Sequence, residues 1–263
     1  RAAGGGAARG GIVVRLASAI EPEWLTDAYP EGVEERREVT WDARAERAVT
    51  RETLAWGGLV LLASEASDAV SEEASRVLAE AALRAGADRF APEGALDRWL
   101  RRAHFAASVD ASIAAPDAAA VARTLTELAA GLRSFAELRE AGLLDALRGQ
   151  TRAGDVDRLA PERVTLAGGR SVEVHYEPGK PPSIASRLQD FFGMVEGPRV
   201  GGGRVSLVLE LLAPNGRAVQ VTGDLGGFWQ RHYPAIRKEL MRRYPRHSWP
   251  EDPTQPAPRM RPR

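Results

Sequence analysis

Six basic side chains fall within sixteen residues: Arg231, Arg237, Lys238, Arg242, Arg243 and Arg246, against one acid, Glu239. Lys238 and Arg242 are four apart, so on a helix they share a face. His247 and Trp249 follow directly. Cations on one face hold phosphates, and an indole stacks on bases, so this set fits a single nucleic-acid strand. Two plainer roles fit the same spacing. The Arg stems can cover apolar surface on a solvated face, or the group can dock on another domain of the same polypeptide. Solvent exposure separates these readings. Binding predicts exposed Arg and an exposed Trp249, whereas a purely architectural role buries the aromatics and pairs the bases with acids.

Other chemistry has less to stand on. Asp224, His232 and Asp252 are a conceivable hydrolytic group, but Asp224 also sits where a helix cap belongs, ready to accept the free amides of a first turn. His104, His175, His232 and His247 are scattered, and no phosphate-loop, dinucleotide or serine-hydrolase motif occurs. With no Cys, disulfides and Cys-based zinc sites are excluded. The expectation is therefore no catalytic residue, no metal site and no cofactor within this chain. No apolar run reaches the length of a membrane span and no secretory signal pattern is present, so a cytoplasmic protein with no membrane partner is expected. Formal net charge is zero, but unevenly spread: residues 1–216 carry 26 bases and 32 acids, or −6, and residues 217–263 carry 10 and 4, or +6. A basic C-terminal part points to a polyanion or a docking surface.

The elements around these residues fall into three textures, which make an α+β chain. Residues 1–65 read as a small β-rich unit. The Gly/Ala-rich opening lacks the G-K-[ST] ending of a phosphate loop and reads as the continuation of a longer polypeptide. Ile12 to Leu16 is a short strand, and Pro22 opens a short helix. Glu38 to Asp42, Arg47 to Leu54 and Leu59 to Leu62 read as strands, the last two joined at Trp56-Gly57-Gly58. A helix from Asp42 to Trp56 competes through its alanines, but Val39, Thr40, Val49, Thr50 and Thr53 are β-branched. Residues 66–150 read as three or four antiparallel helices. Ser71, Asp117 and Ser134 cap three of them, Pro92 to Ala107 is another, Gly86 and Gly131 are stops, and Trp99 is core.

Residues 151–263 are mixed. A turn is expected at Gly154-Asp155, and a hairpin through Ala167-Gly168-Gly169-Arg170 into the alternating Val172, Val174 and Tyr176. Ser183 caps a helix from Ile184 to Phe192, with Ile184, Leu188 and Phe191 at helical spacing. Arg204 to Leu212 and Ala218 to Thr222 are strands about Asn215-Gly216, forming a small antiparallel sheet. Asp224 caps the next turn, carrying Phe228 and Trp229, and Ala235 to Tyr244 is the last helix, its apolar stripe supplied by Ile236, Leu240, Tyr233 and Tyr244. Pro245 stops it, and a Pro-rich tail follows.

Several of these stretches are too particular to be generic. Asp224-Leu225-Gly226-Gly227-Phe228-Trp229, Tyr233, Arg237-Lys238-Glu239, Arg243-Tyr244-Pro245-Arg246-His247 and Trp249-Pro250-Glu251-Asp252-Pro253 resemble the C-terminal signature of the HrpB family of bacterial DEAH-type ATP-dependent helicases. Upstream, Arg187-Leu188-Gln189-Asp190-Phe191-Phe192-Gly193, Leu211 to Arg217 and Val39 to Arg47 resemble family segments, and Ile20 to Leu25 is similar to a stretch of the OB-like domain of DEAH helicases. The likeness is weakest between residues 66 and 150. Arg246 stands where the family usually has Lys, and Gly226 or Gly227 where it has Ala.

The resemblance implies that residues 1–65 are the end of an OB-like barrel, 66–150 a helical module, and 151–263 the family's own C-terminal α+β domain. It implies RecA-like motor domains outside this chain, where ATP and Mg would bind, and a single strand of RNA or DNA as partner. Arg231, Arg237, Lys238, Arg242, Arg243, Arg246, His247 and Trp249 are then the candidate nucleic-acid contacts. Asp224, Phe228, Trp229, Tyr233 and Tyr244 are structural.

Overall fold

The computed structural model describes residues 18–65 and 71–255. The Gly/Ala-rich opening, the strand expected at Ile12 to Leu16 and the end of the Pro-rich tail lie outside them.

A short helix α1 (Pro22–Ala28) and a 3-10 turn at Pro30–Gly32 lead into β1 (Val33–Asp42), β2 (Arg47–Trp56) and β3 (Leu59–Glu65). The three form an antiparallel meander with β2 central. The β-branched residues prevail over the alanines: Val39 pairs with Thr50 and Thr40 with Val49. The competing helix from Asp42 to Trp56 is thereby excluded, because Asp42 instead closes a hairpin by accepting the Arg44 and Ala45 amides at 2.8 and 3.0 Å. Gly57 and Gly58, both at positive φ, make the second hairpin.

The helices follow as α2 (Glu72–Ala85), α3 (Ala95–Val109), α4 (Ala118–Leu128), α5 (Phe135–Glu140), α6 (Leu143–Gln150) and α7 (Ala153–Leu159). Ser71 and Asp117 accept first-turn amides at 3.0 and 2.7 Å, and Ser134 with Glu137 completes a capping box. Three features differ from the sequence reading. The fourth expected helix breaks at Gly142, whose φ of 73° is left-handed, so Leu143 enters the core from a new helix. The expected turn at Gly154-Asp155 is the first turn of α7, since burying Val156 and Leu159 outweighs the helix cost of one glycine. The helix expected from Pro92 begins at Ala95.

The first sheet is pinned to these helices at the tip of its hairpin. Glu46 accepts hydrogen bonds from Arg89 and Arg139, the Ala48 amide donates to the Arg133 carbonyl at 2.7 Å, and the Trp41 ring packs 4.6 Å from that of Phe135.

The remaining strands are β4 (Arg163–Thr165), β5 (Ser171–Glu173), β6 (Ser183–Arg187), β7 (Arg199–Val200), β8 (Val205–Ser206), β9 (Val208–Leu212) and β10 (Ala218–Thr222). Here lies the main correction. The stretch expected as a Ser183-capped helix is β6 followed by one 3-10 turn at Leu188–Phe191. Ile184 and Ser186 face inward at the two-residue period of a strand, and β6 pairs in parallel with β9. A strand that turns once buries Ile184, Leu188 and Phe191 as well as a helix would. The sheet β10-β9-β6 is therefore mixed, not purely antiparallel. Two helices close the chain, α8 (Leu225–Arg231) and α9 (Tyr233–Arg243).

One continuous cluster of buried residues runs from Leu78 on α2 to Trp249 beyond α9 and includes Trp99. Within it Arg102 is a buried cation. It donates to the Ala160 carbonyl at 2.6 Å and to Glu162 and Asp157 at 2.5 Å, tying α3 to α7 and the approach to β4. No described helix is long and apolar enough to cross a membrane.

Candidate nucleic-acid interface

The final two helices are set by Asp224. One of its carboxylate oxygens accepts the Gly227 amide and the other the Arg231 guanidinium, both at 2.7 Å. The Gly227 amide first, then Arg231, hold this carboxyl below the usual aspartate range. Gly227 makes the clasp possible, because a Cβ there would lie 1.9 Å from the Asp224 carboxylate and 2.0 Å from the Arg231 guanidinium. Arg231 is thus engaged with an acid, although its side chain remains exposed.

Inside, the aromatics of the signature form a knot. Phe228, Trp229, Tyr233 and Trp249 are all buried, together with Phe192. The Trp229 and Tyr233 rings meet edge to face at 5.2 Å. Each polar atom has a backbone partner. The Trp229 indole donates to the Met194 carbonyl at 2.8 Å, the Tyr233 hydroxyl to the Pro250 carbonyl at 2.8 Å, and the Trp249 indole to the Tyr244 carbonyl at 3.1 Å. Burial pushes the Tyr233 phenol up to about 12. The segment after α9 folds back over the knot, and the Gly193 amide donates to the Pro253 carbonyl at 2.8 Å.

This geometry corrects part of the sequence reading. Trp249 is 6% exposed and its indole N–H is used, so it offers no face for a base. Arg237 is also drawn inward, donating to the Trp249 carbonyl at 2.8 Å with Glu251 3.7 Å away. Arg243 lies over the half-buried Tyr244 ring at 5.8 Å. Lys238 and Arg242 project opposite the buried Tyr233 and Leu240, with Arg246 and His247 just past the helix end. All four are exposed, and Lys238, Arg242 and Arg246 form no ion pair among the described residues. Lys238 and Arg242 thus form a ridge on one exposed face of α9, with Glu239 and Arg243 beside them and Arg246 following just past the helix end.

No hydrogen bond joins Asp224 to His232 among the described residues, and Asp252 is occupied by Thr254 and Gln255. The hydrolytic group does not assemble. A cleft of 540 Å³ between α3, the start of β4 and the stretch after β5 was not signalled by the sequence. Arg98, Arg101 and Arg163 line it, but so do Asp97, Glu173 and Glu177, so it carries no dominant sign of charge. The Asp224–Arg231 clasp was also missed, although a spacing of seven residues, two helical turns, was its signal.

Comparison with known proteins agrees with this architecture. Residues 124–253 match the family model described as ATP-dependent helicase C-terminal. The chain is 36% identical over 167 residues to the ATP-dependent RNA helicase HrpB of Escherichia coli K12, a match covering 62% of this chain and 20% of that protein. The crystal structure of the E. coli DExH-box NTPase HrpB superposes with a TM-score of 0.68 at 27% identity, over 93% of this chain and 31% of that one. That of the E. coli DEAH/RHA helicase HrpB gives 0.59 at 26% identity, over 83% and 29%. The chain therefore spans between about a fifth and a third of the relatives it matches.

Proposed function

This chain belongs to the HrpB-type family of ATP-dependent helicases as its C-terminal region, and from that premise we propose that it is a non-catalytic part of a larger motor that contacts single-stranded RNA or DNA through the outer face of α9. The observation that carries this reading is the ridge of Lys238 and Arg242 with Arg246 just past the helix end, all exposed and without carboxylate partners among the described residues. Free cations on a fixed helix face attract phosphate and release its counterions. Arg237 and Trp249 brace α9 through the bond from the Arg237 guanidinium to the Trp249 carbonyl, and Arg231 is engaged by Asp224.

ATP and Mg belong, on this reading, to RecA-like motor domains outside the chain, in a cytoplasmic parent protein. Residues 1–65 serve as the end of an OB-like barrel, 66–150 as a helical spacer, and 151–263 as the domain that presents the ridge. The test is fluorescence anisotropy of the purified chain with labelled single-stranded RNA and DNA over a salt series. Affinity should fall as salt rises, and no binding at low salt would overturn the reading.

A second reading concerns the other end of the chain. Leu59, Val60 and Leu62 of β3 are each about 60% exposed, and among the described residues the outer edge of β3 pairs with no strand. Such an apolar edge favours contact with the motor domains. It complements nucleic-acid contact at α9 rather than competing with it.

A further inference from the structure

Whether α9 holds only phosphates or also reads bases depends on which rings reach its surface. Sequence-independent binders of single strands normally join a cationic groove to aromatic platforms on which bases stack. Here the platforms are withdrawn. Trp229, Tyr233 and Trp249 are buried and each donates its polar hydrogen to a backbone carbonyl. Tyr244 is half-buried, with the Arg243 guanidinium over its ring. Among the described residues at α9, the rings left exposed are the imidazoles of His232, stacked 6.3 Å from Phe228 at the helix start, and His247, 6.2 Å from Tyr244 and 6.3 Å from Trp249 past its end. The exposed side chains of the C-terminal half of α9 are Lys238, Arg242 and Arg243, with Glu239 and Met241 among them and no aromatic ring. Lys238 and Arg242 are about 6 Å apart along the helix axis, and Arg246 is exposed in the turn that follows the helix end.

We infer that this ridge grips the sugar-phosphate backbone alone, so that bound bases face away from the protein and neither base identity nor the 2′-hydroxyl alters affinity. The inference rests on the proposal that α9 is a nucleic-acid contact and states what that contact recognises. Charge acts through the phosphates, which every strand has. Discrimination needs donors, acceptors or ring faces aimed at bases or sugars. In the HrpB-type architecture such a surface guides a strand without selecting it.

The experiment compares labelled oligouridylate, oligoadenylate, oligothymidylate and oligodeoxyadenylate of one length against the full chain and its His247→Ala variant. The expected result is four affinities within about three-fold of one another. The slope of log affinity against log salt should be about −2, at roughly −0.7 for each of three phosphates. His247→Ala should leave this pattern unchanged. A spread of about ten-fold or more between bases or sugars, of the size that ring stacking produces, overturns the inference while leaving the α9 contact standing. Selective binding lost in His247→Ala overturns it too, by making that imidazole a platform. Absence of binding by every oligonucleotide overturns the parent reading, and this inference with it.

Discussion

Asp224 and Tyr233 are within ten residues of each other and titrate at opposite ends of the pH scale. The Asp224 carboxyl is held low by the Gly227 amide and Arg231. Its folded pKa lies below the unfolded value, so its contribution to stability is present above the ordinary aspartate range and is lost as pH falls through the lowered value. Asp224→Ala should therefore lower the melting temperature at neutral pH, and the gap from the parent chain should close in strong acid. Tyr233 behaves in reverse. Its phenol is raised to about 12, so the folded state keeps its proton longer than the unfolded state does. Stability should fall between the ordinary tyrosine pKa and about 12, and alkaline titration of unfolding should show a weaker fall in Tyr233→Phe. Trp249 tests the distinction between platform and core. Its ring is buried and its indole bonded, so Trp249→Ala should cost about 3–5 kcal/mol in urea unfolding. A surface stacking residue would be removed with little loss of stability.

At the scale of elements, Arg102 joins three pieces of chain with one guanidinium. Its carboxylate partners remain partly solvated, so the cost of losing it is the stranded Ala160 carbonyl and the lost packing, about 2 kcal/mol. Arg102→Lys should not rescue this, because an ammonium lacks the planar fork that spans three acceptors. Equilibrium unfolding of Arg102→Met and Arg102→Lys should give similar losses. Nothing in the sequence distinguished Arg102 from its neighbours, since its role depends on contacts 55 to 60 residues away.

The same cause explains which elements were legible. Ser71, Asp117, Ser134 and Asp224 cap helices through amides three residues on, and such local signals could be read directly. The alternation of β1 and β2 prevailed over alanine content for the same reason. β6 could not be read locally, because its three apolar anchors suit a helix as well as a strand that turns, and only the parallel partner β9 decides between them. The charge of α9 was legible, but which of its cations were free was not. Arg237 is consumed by a carbonyl twelve residues away, and Trp249 by the fold-back of the tail.

As a whole, the described part of the molecule is held by one main core. Its buried cluster runs without a break from α2 to the segment beyond α9, and Glu46 fastens the first sheet to the helices. An α9 ridge mounted on that body would be held in fixed register with any motor domain docked at β3. The purified chain should hydrolyse no ATP with or without RNA, and turnover in a phosphate-release assay would contradict its placement outside the motor.

The most direct test of the account asks whether the position of charge, rather than its total, governs binding. One variant carries Lys238→Ala, Arg242→Ala and Arg246→Ala. Its control carries Arg37→Ala, Arg84→Ala and Arg123→Ala, three exposed cations on β1, α2 and α4. Both lose three positive charges, and melting curves establish that both are folded. Anisotropy with single-stranded RNA at low salt should show affinity reduced about ten-fold or more in the first and nearly unchanged in the second. Equal losses in both, or a larger loss in the control, would contradict the assignment of the strand to α9.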